Sequence, residues 1–102
     1  MIRVSVFYPQ GGKFDPEYYV NNHLKLIAEK CGPALLKAEM DKGVAGMAPG
    51  TPAPYVAIGH LYFNSVPEFL GAFAPAAGAI MADVPNYTDA RPEIQISEIV
   101  EA

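Results

Sequence analysis

The sequence is poor in the residues that bind metals and form disulfides, with one cysteine and two histidines in 102 residues. A single cysteine excludes a disulfide within the chain and fits a reducing compartment. Cys31, His23 and His60 lie on separate segments, with neither H-x-x-x-H nor C-x-x-C spacing. The glycine-rich stretch "GVAGMAPG" lacks the lysine and the following helix of a phosphate-binding loop. We therefore predict no metal site and no bound cofactor.

Positive charge is also scarce. Seven basic residues against eleven acidic ones give a net charge of −4, and the basic residues form no stripe along the chain. Nucleic acid and anionic membranes are therefore excluded as expected partners. The most apolar segment, residues 69–84, is interrupted by Gly71, Pro75, Gly78 and Asp83, so it is no transmembrane span. No secretory signal pattern opens the sequence, and we expect a cytoplasmic protein.

What the chain does have is apolar residues: 51% are hydrophobic and only 18% are charged. The length predicts one domain over residues 1–102. With so few charged residues, we expect part of the apolar surface to be covered by another subunit.

The apolar periodicity predicts six elements in the order β-α-β-β-α-β. "MIRVSVFYP" alternates as a strand, Asp15 and Pro16 open a helix, and Gly32-Pro33 ends it. The other predicted elements are a polar edge strand within residues 35–44, a strong strand over "YVAIGHLYF", a helix capped by Ser65 and split at Pro75, and a last strand in "EIQISEIV". This order predicts an α+β, ferredoxin-like fold, with a four-stranded antiparallel sheet and two helices on one face.

Two helices leave the second face of such a sheet bare. Alternation gives that face Arg3, Ser5 and Phe7 on the first strand and Val56, Ile58, His60 and Tyr62 on the third. Because half of this surface is apolar or aromatic, we predict that two copies of the chain associate through it as a homodimer.

Four stretches carry a resemblance to the EthD family, small proteins associated with ethyl tert-butyl ether degradation. They are "FYP", "FDPEYYVNNHLKL", "YVAIGHLYFNS" with "PEF", and "DVPNYTDARPEIQISEIV", in the family's order and spacing. Lys25 departs from the family's "H-x-P-L" pattern, and the loss of that proline predicts a straighter helix.

The resemblance implies a dimeric α+β barrel in which each subunit keeps a small cavity between its sheet and its helices. It implies a cofactor-free activity, oxidoreductase-like, monooxygenase-like or isomerase-like, on a small apolar or aromatic metabolite. A second interpretation stays open, because no complete catalytic constellation is visible: a non-catalytic accessory protein that binds a metabolite or supports a degradative oxygenase.

His23 is the predicted catalytic residue. It lies at the border of the helix's apolar stripe, and Tyr19 precedes it by four residues on the same side. A packed histidine bonded to backbone or water is the competing interpretation. The predicted substrate-binding residues are Tyr19, Tyr87 in "PNYTD", Asp83 and His60. For Asp83, contact with His23 and capping of the loop after the second helix are the alternatives. For His60, a sheet-interface histidine is the favoured alternative, while Tyr8, Tyr55 and Tyr62 are interpreted as packing aromatics.

Overall fold

The computed structural model describes residues 1–102, and its centre is one antiparallel sheet in the strand order β2-β3-β1-β4. The strands are β1 (Ile2–Pro9), β2 (Lys37–Lys42), β3 (Tyr55–Phe63) and β4 (Glu93–Glu98). The two polar strands, β2 and β4, form the edges, while the β-branched and aromatic residues of β1 and β3 occupy the middle.

The helices lie on one face of the sheet. They are α1 (Pro16–Tyr18), α2 (Leu24–Cys31), α3 (Val66–Phe73) and α4 (Ala77–Asp83), with a π-helical turn over Tyr19–His23 and a 3-10 turn over Ala74–Ala76. The predicted caps are present: the Asp15 carboxylate accepts from the Tyr18 N–H and the Ser65 hydroxyl from the Glu68 N–H. Pro75 splits the second helical segment, as predicted. This is the α+β, ferredoxin-like fold that the sequence indicates.

The first helical segment, residues 16–31, is not uniformly α-helical. The Leu24 N–H bonds to the carbonyl of Tyr19, five residues back, and this widens one turn. As a result Tyr19 is buried, whereas its neighbour Val20 is 47% exposed. The π turn therefore sets which side chains of this segment face the sheet.

Alternation assigns the faces of the sheet largely as predicted. Val4, Leu61 and Phe63 are buried beneath the helices, while Arg3, Ser5, His60 and Tyr62 interact with one another on the open face. Val56 is an exception: the strand register shifts between Tyr8 and Pro9, and Val56 packs against the core instead of facing outward.

The helices leave the β4 edge uncovered. Ile94 and Ile96 are on the helix face of the sheet, opposite Val6 and Val4, yet they are 55% and 41% exposed. This gap between β4 and α4 leads into the interior. None of the helices has the length and apolarity that crossing a bilayer requires.

Candidate active site: a histidine and three phenols at an apolar cavity

A cavity of about 70 Å³ lies between the helices and the sheet, and it opens at the uncovered edge. A space of that size holds on the order of five water molecules, or part of a small organic ligand. Thirteen of the fifteen residues that line it are hydrophobic, and no lysine, arginine, aspartate or glutamate is among them. His23 is therefore the one lining side chain able to exchange a proton near neutral pH.

The π turn directs His23 into this cavity. In this wider turn, side chains four residues apart point in more nearly the same direction than they do in an α-helical turn. Tyr19 and His23 therefore project to the same side. Their rings stack with centroids 5.4 Å apart. His23 is 3% exposed, so its side chain points inward.

Asp83, the last residue of α4, contacts the Nδ1 side of the His23 ring. Its Oδ2 lies 2.9 Å from His23 Nδ1. Its Oδ1 accepts from the Tyr18 hydroxyl at 2.6 Å and from the Asn86 amide at 2.9 Å. Burial alone would raise the pKa of the Asp83 carboxyl, but these three hydrogen bonds outweigh it and lower the pKa below its ordinary value. Asp83 is therefore an ionised carboxylate.

The ionised carboxylate fixes the tautomer of His23. A carboxylate can only accept, so His23 Nδ1 carries the proton in this bond. Burial lowers the pKa of His23, and Asp83 opposes that effect without reversing it, so the ring is neutral at pH 7. Nε2 makes no hydrogen bond with the protein and is not enclosed by it. Its lone pair is thus available at the cavity.

Three phenols share this end of the cavity with His23. The hydroxyls of Tyr8 and Tyr87 lie 2.7 Å apart, and the Tyr19 ring is 5.1 Å from that of Tyr87. The His23 and Tyr87 rings are only 4.6 Å apart. Burial raises the pKa of all three phenols well above the ordinary value, so they remain protonated hydrogen-bond donors.

A pairing between two loops positions Tyr87. Phe14 and Thr88 form an isolated antiparallel bridge, and the Asp15 N–H bonds to the Tyr87 carbonyl at 2.8 Å. The Thr88 hydroxyl also donates to the Lys13 carbonyl at 2.6 Å. Held on both sides, Tyr87 is fully buried over the cavity.

A glycine makes room for Tyr19. A Cβ atom built on Gly59 of β3 would collide with the Tyr19 hydroxyl, so only a residue without a side chain fits there.

Three of the five predicted site residues line the cavity, and a fourth is bonded to one of them. His23, Tyr19 and Tyr87 line the cavity, whereas Asp83 lies behind His23 and does not line it. His60 lies on the open face, away from the cavity, where Nε2 is 2.7 Å from Asp41 and Nδ1 is 3.2 Å from the Ser5 hydroxyl. Serine, histidine and aspartate are the residue types of a hydrolytic triad. However, β1 pairs with a strand on each side, so its backbone N–H groups are not free to form an oxyanion hole beside Ser5.

Two residues of the site were missed. Tyr8 was interpreted as packing, although alternation from Val4 and Val6 places it on the helix face. Tyr18 belongs to the motif "FDPEYYVNNHLKL", but its bond to Asp83 spans 65 residues of sequence, which no local pattern reveals.

Comparison with known proteins gives consistent matches. Residues 14–91 match the family model described as the EthD domain. An EthD-like protein from Ralstonia eutropha JMP134 is 36% identical, with a TM-score of 0.93 over 98% of this chain and 92% of that one. An EthD-family protein from Bacillus halodurans C-125 is 18% identical, with a TM-score of 0.68 over 98% of this chain and 99% of that one.

A third solved structure, HapK from Hahella chejuensis, is 13% identical, with a TM-score of 0.58 over 98% of this chain and 94% of that one. The last two likenesses indicate the fold alone. No protein with a curated description matches the chain significantly.

Proposed function

The chain belongs to the EthD family, and from that premise we propose that it is an enzyme that moves a proton on a small, uncharged, apolar or aromatic metabolite with His23 as the base. It acts in the cytoplasm, without a metal or a bound cofactor. One observation carries this proposal: His23 is anchored through Nδ1 to Asp83 and presents Nε2 to an otherwise apolar cavity.

The anchored histidine has the properties of a general base. A base must be unprotonated before the reaction, and burial favours the neutral ring. It must also tolerate the positive charge that it gains, and Asp83, 2.9 Å away, compensates that charge. Asp83 is thus a positioning residue that acts through His23, and Tyr18 and Asn86 in turn hold Asp83.

The isomerase-like and the monooxygenase-like activities that the family resemblance implies share this first step. Removal of a proton leaves a carbanion or enolate, which is reprotonated at another carbon in an isomerisation or gives up electrons to dioxygen from solution in a cofactor-free oxidation. The apolar walls exclude water and strengthen the interaction of the developing charges with His23 and the phenols.

The two histidines provide a matched test. The metabolite retained by the purified protein is identified by native mass spectrometry and then incubated with wild type, His23→Gln and His60→Gln in D₂O. We expect His23→Gln to lose on the order of a hundredfold or more in deuterium incorporation, with little change in melting temperature, and His60→Gln to stay close to wild type. Unchanged incorporation in His23→Gln contradicts the proposal, as does its loss of stability with ligand binding unaltered.

We also propose that two copies associate through their open sheet faces. The molecule is a slab of 42 × 37 × 19 Å, with helices on one side of the sheet only. The bare side carries Phe7 and Ile58, which are only partly shielded by their neighbours. A second copy is the simplest cover for such a surface.

An accessory role is the second candidate function. It is favoured by the exposure of Met81 and Ile94 at the mouth of the cavity, 50% and 55%, which would suit contact with an oxygenase partner. Ligand capture without turnover, and co-purification with an oxygenase subunit, would support this role. Steady turnover by the isolated protein excludes it.

A further inference from the structure

The hydroxyl groups at the cavity carry one proton more than their contacts use. Tyr8 and Tyr87 share one hydrogen bond at 2.7 Å, in which one hydroxyl donates and the other accepts. The accepting hydroxyl still has its own proton, and no other protein atom accepts from this pair. Tyr8, Tyr19 and Tyr87 together have three hydroxyl protons, whereas three hydroxyls in a chain form at most two hydrogen bonds with one another. At least one O–H group is therefore free to donate to a ligand.

This donor lies beside an acceptor. His23 Nε2 has a lone pair and no protein partner, and the His23 ring is 4.6 Å from the ring of Tyr87. Apart from these groups the lining is apolar. The polar end of the cavity therefore offers one proton acceptor and one hydrogen-bond donor.

We propose that the substrate is an uncharged carbonyl compound with an acidic C–H next to its carbonyl group, whose oxygen accepts a hydrogen bond from the Tyr8–Tyr87 pair while His23 Nε2 removes the neighbouring proton. This inference rests on the proposed function and names its substrate class. Such a compound presents the matching pair, an acceptor oxygen three bonds from an acidic hydrogen.

The chemical step balances without a co-reactant. His23 Nε2 takes the proton, the electrons of the C–H bond form a carbon–carbon double bond, and the carbonyl π electrons move to the oxygen. The phenol O–H strengthens its hydrogen bond to that oxygen as negative charge develops. The proton on His23 then returns to the oxygen, which gives the enol, or to a different carbon, which gives an isomer.

The same lining rejects charged relatives of this class. A 2-oxo acid would place its carboxylate among apolar side chains with no lysine or arginine near, and with Asp83 just behind His23. Burying an unpaired carboxylate is strongly unfavourable. The substrate is therefore a ketone or aldehyde without a free acid group.

The test uses 2-indanone, an aromatic ketone with acidic hydrogens, and indane, which has the same shape without the carbonyl. Binding is measured by calorimetry or ligand-observed NMR, and loss of the acidic hydrogens to D₂O by mass spectrometry. The informative variant is Tyr8→Phe/Tyr87→Phe, because removing both partners of a buried hydrogen bond is close to neutral for folding. Tyr55→Phe, which removes a hydroxyl remote from the cavity, is the control.

We expect wild type and the control to bind 2-indanone more tightly than indane and to accelerate its exchange. The double variant should lose about tenfold in 2-indanone affinity, down to the level of indane, with indane binding unchanged. His23→Gln should keep the preference for the ketone and lose the exchange.

The outcomes separate the two proposals. A wild type that does not distinguish 2-indanone from indane, or a double variant that still does, overturns the carbonyl assignment even if His23 moves a proton on another ligand. A preserved ketone preference without exchange in the wild type overturns the proton-transfer function instead. Binding of neither compound overturns both.

Discussion

At the scale of single residues, the site depends on which atoms can donate. Asp83 can only accept, Tyr18 and Asn86 fill one of its oxygens, and the other is left for His23 Nδ1. The sequence suggested Asp83 and His23 as site residues, and it left open whether Asp83 contacts a ligand or His23. Their contact joins residues 60 positions apart, so it depends on packing that no local pattern encodes.

Asp83→Asn should lower the pKa of His23 further. The hydrogen bond and the charge of Asp83 both raise the pKa of His23, against the larger lowering effect of burial. An uncharged amide at this position opposes the effect of burial less, so the pKa falls. NMR titration of the His23 ring in the variant and in the wild type measures the change. A pKa of His23 that rises in the variant would contradict the assigned contact.

The same shift gives the activity its expected pH dependence. A base works in its unprotonated form, and His23 loses its proton at a lower pH than the ordinary value of about 6.5. Proton transfer should therefore persist below pH 6.5 and fall only on further acidification. A rate that already declines between pH 8 and 7 would show that a different group is titrating.

Gly59→Ala should destabilise the protein by about 1–3 kcal/mol, because the added methyl group meets the Tyr19 hydroxyl. Gly78→Ala adds the same group to α4 in open space and should be neutral or slightly stabilising. Chemical denaturation of both variants makes the comparison. Equal stabilities would mean that Tyr19 does not lie against β3.

At the scale of elements, periodicity predicted the strands well, and it failed where a helix departs from its regular form. β1 and β3 alternate clearly, and Ser65 and Pro75 mark the start and the break of the second helical segment. The π turn has no such mark, since Tyr19–His23 reads equally well as α-helix. One local hydrogen bond, from the Leu24 N–H to the Tyr19 carbonyl, determines which residues of this segment are buried.

At the scale of the whole molecule, the open sheet face makes assembly the main question. Ile58 lies near the middle of that face, while Leu70 is an exposed aliphatic side chain on the helix side. We expect a dimeric wild type, a monomeric Ile58→Lys variant and a dimeric Leu70→Lys variant by size-exclusion chromatography with light scattering. A monomeric wild type, or Ile58→Lys that remains a dimer, would refute association through this face.

The central claim is that His23 presents an unprotonated Nε2 to the cavity, and a long-range ¹H–¹⁵N NMR spectrum of the protein at pH 7 tests it most directly. The account predicts the neutral tautomer with the proton on Nδ1 and a bare Nε2. An imidazolium, or the tautomer protonated on Nε2, would leave no lone pair at the cavity and would contradict His23 as the base.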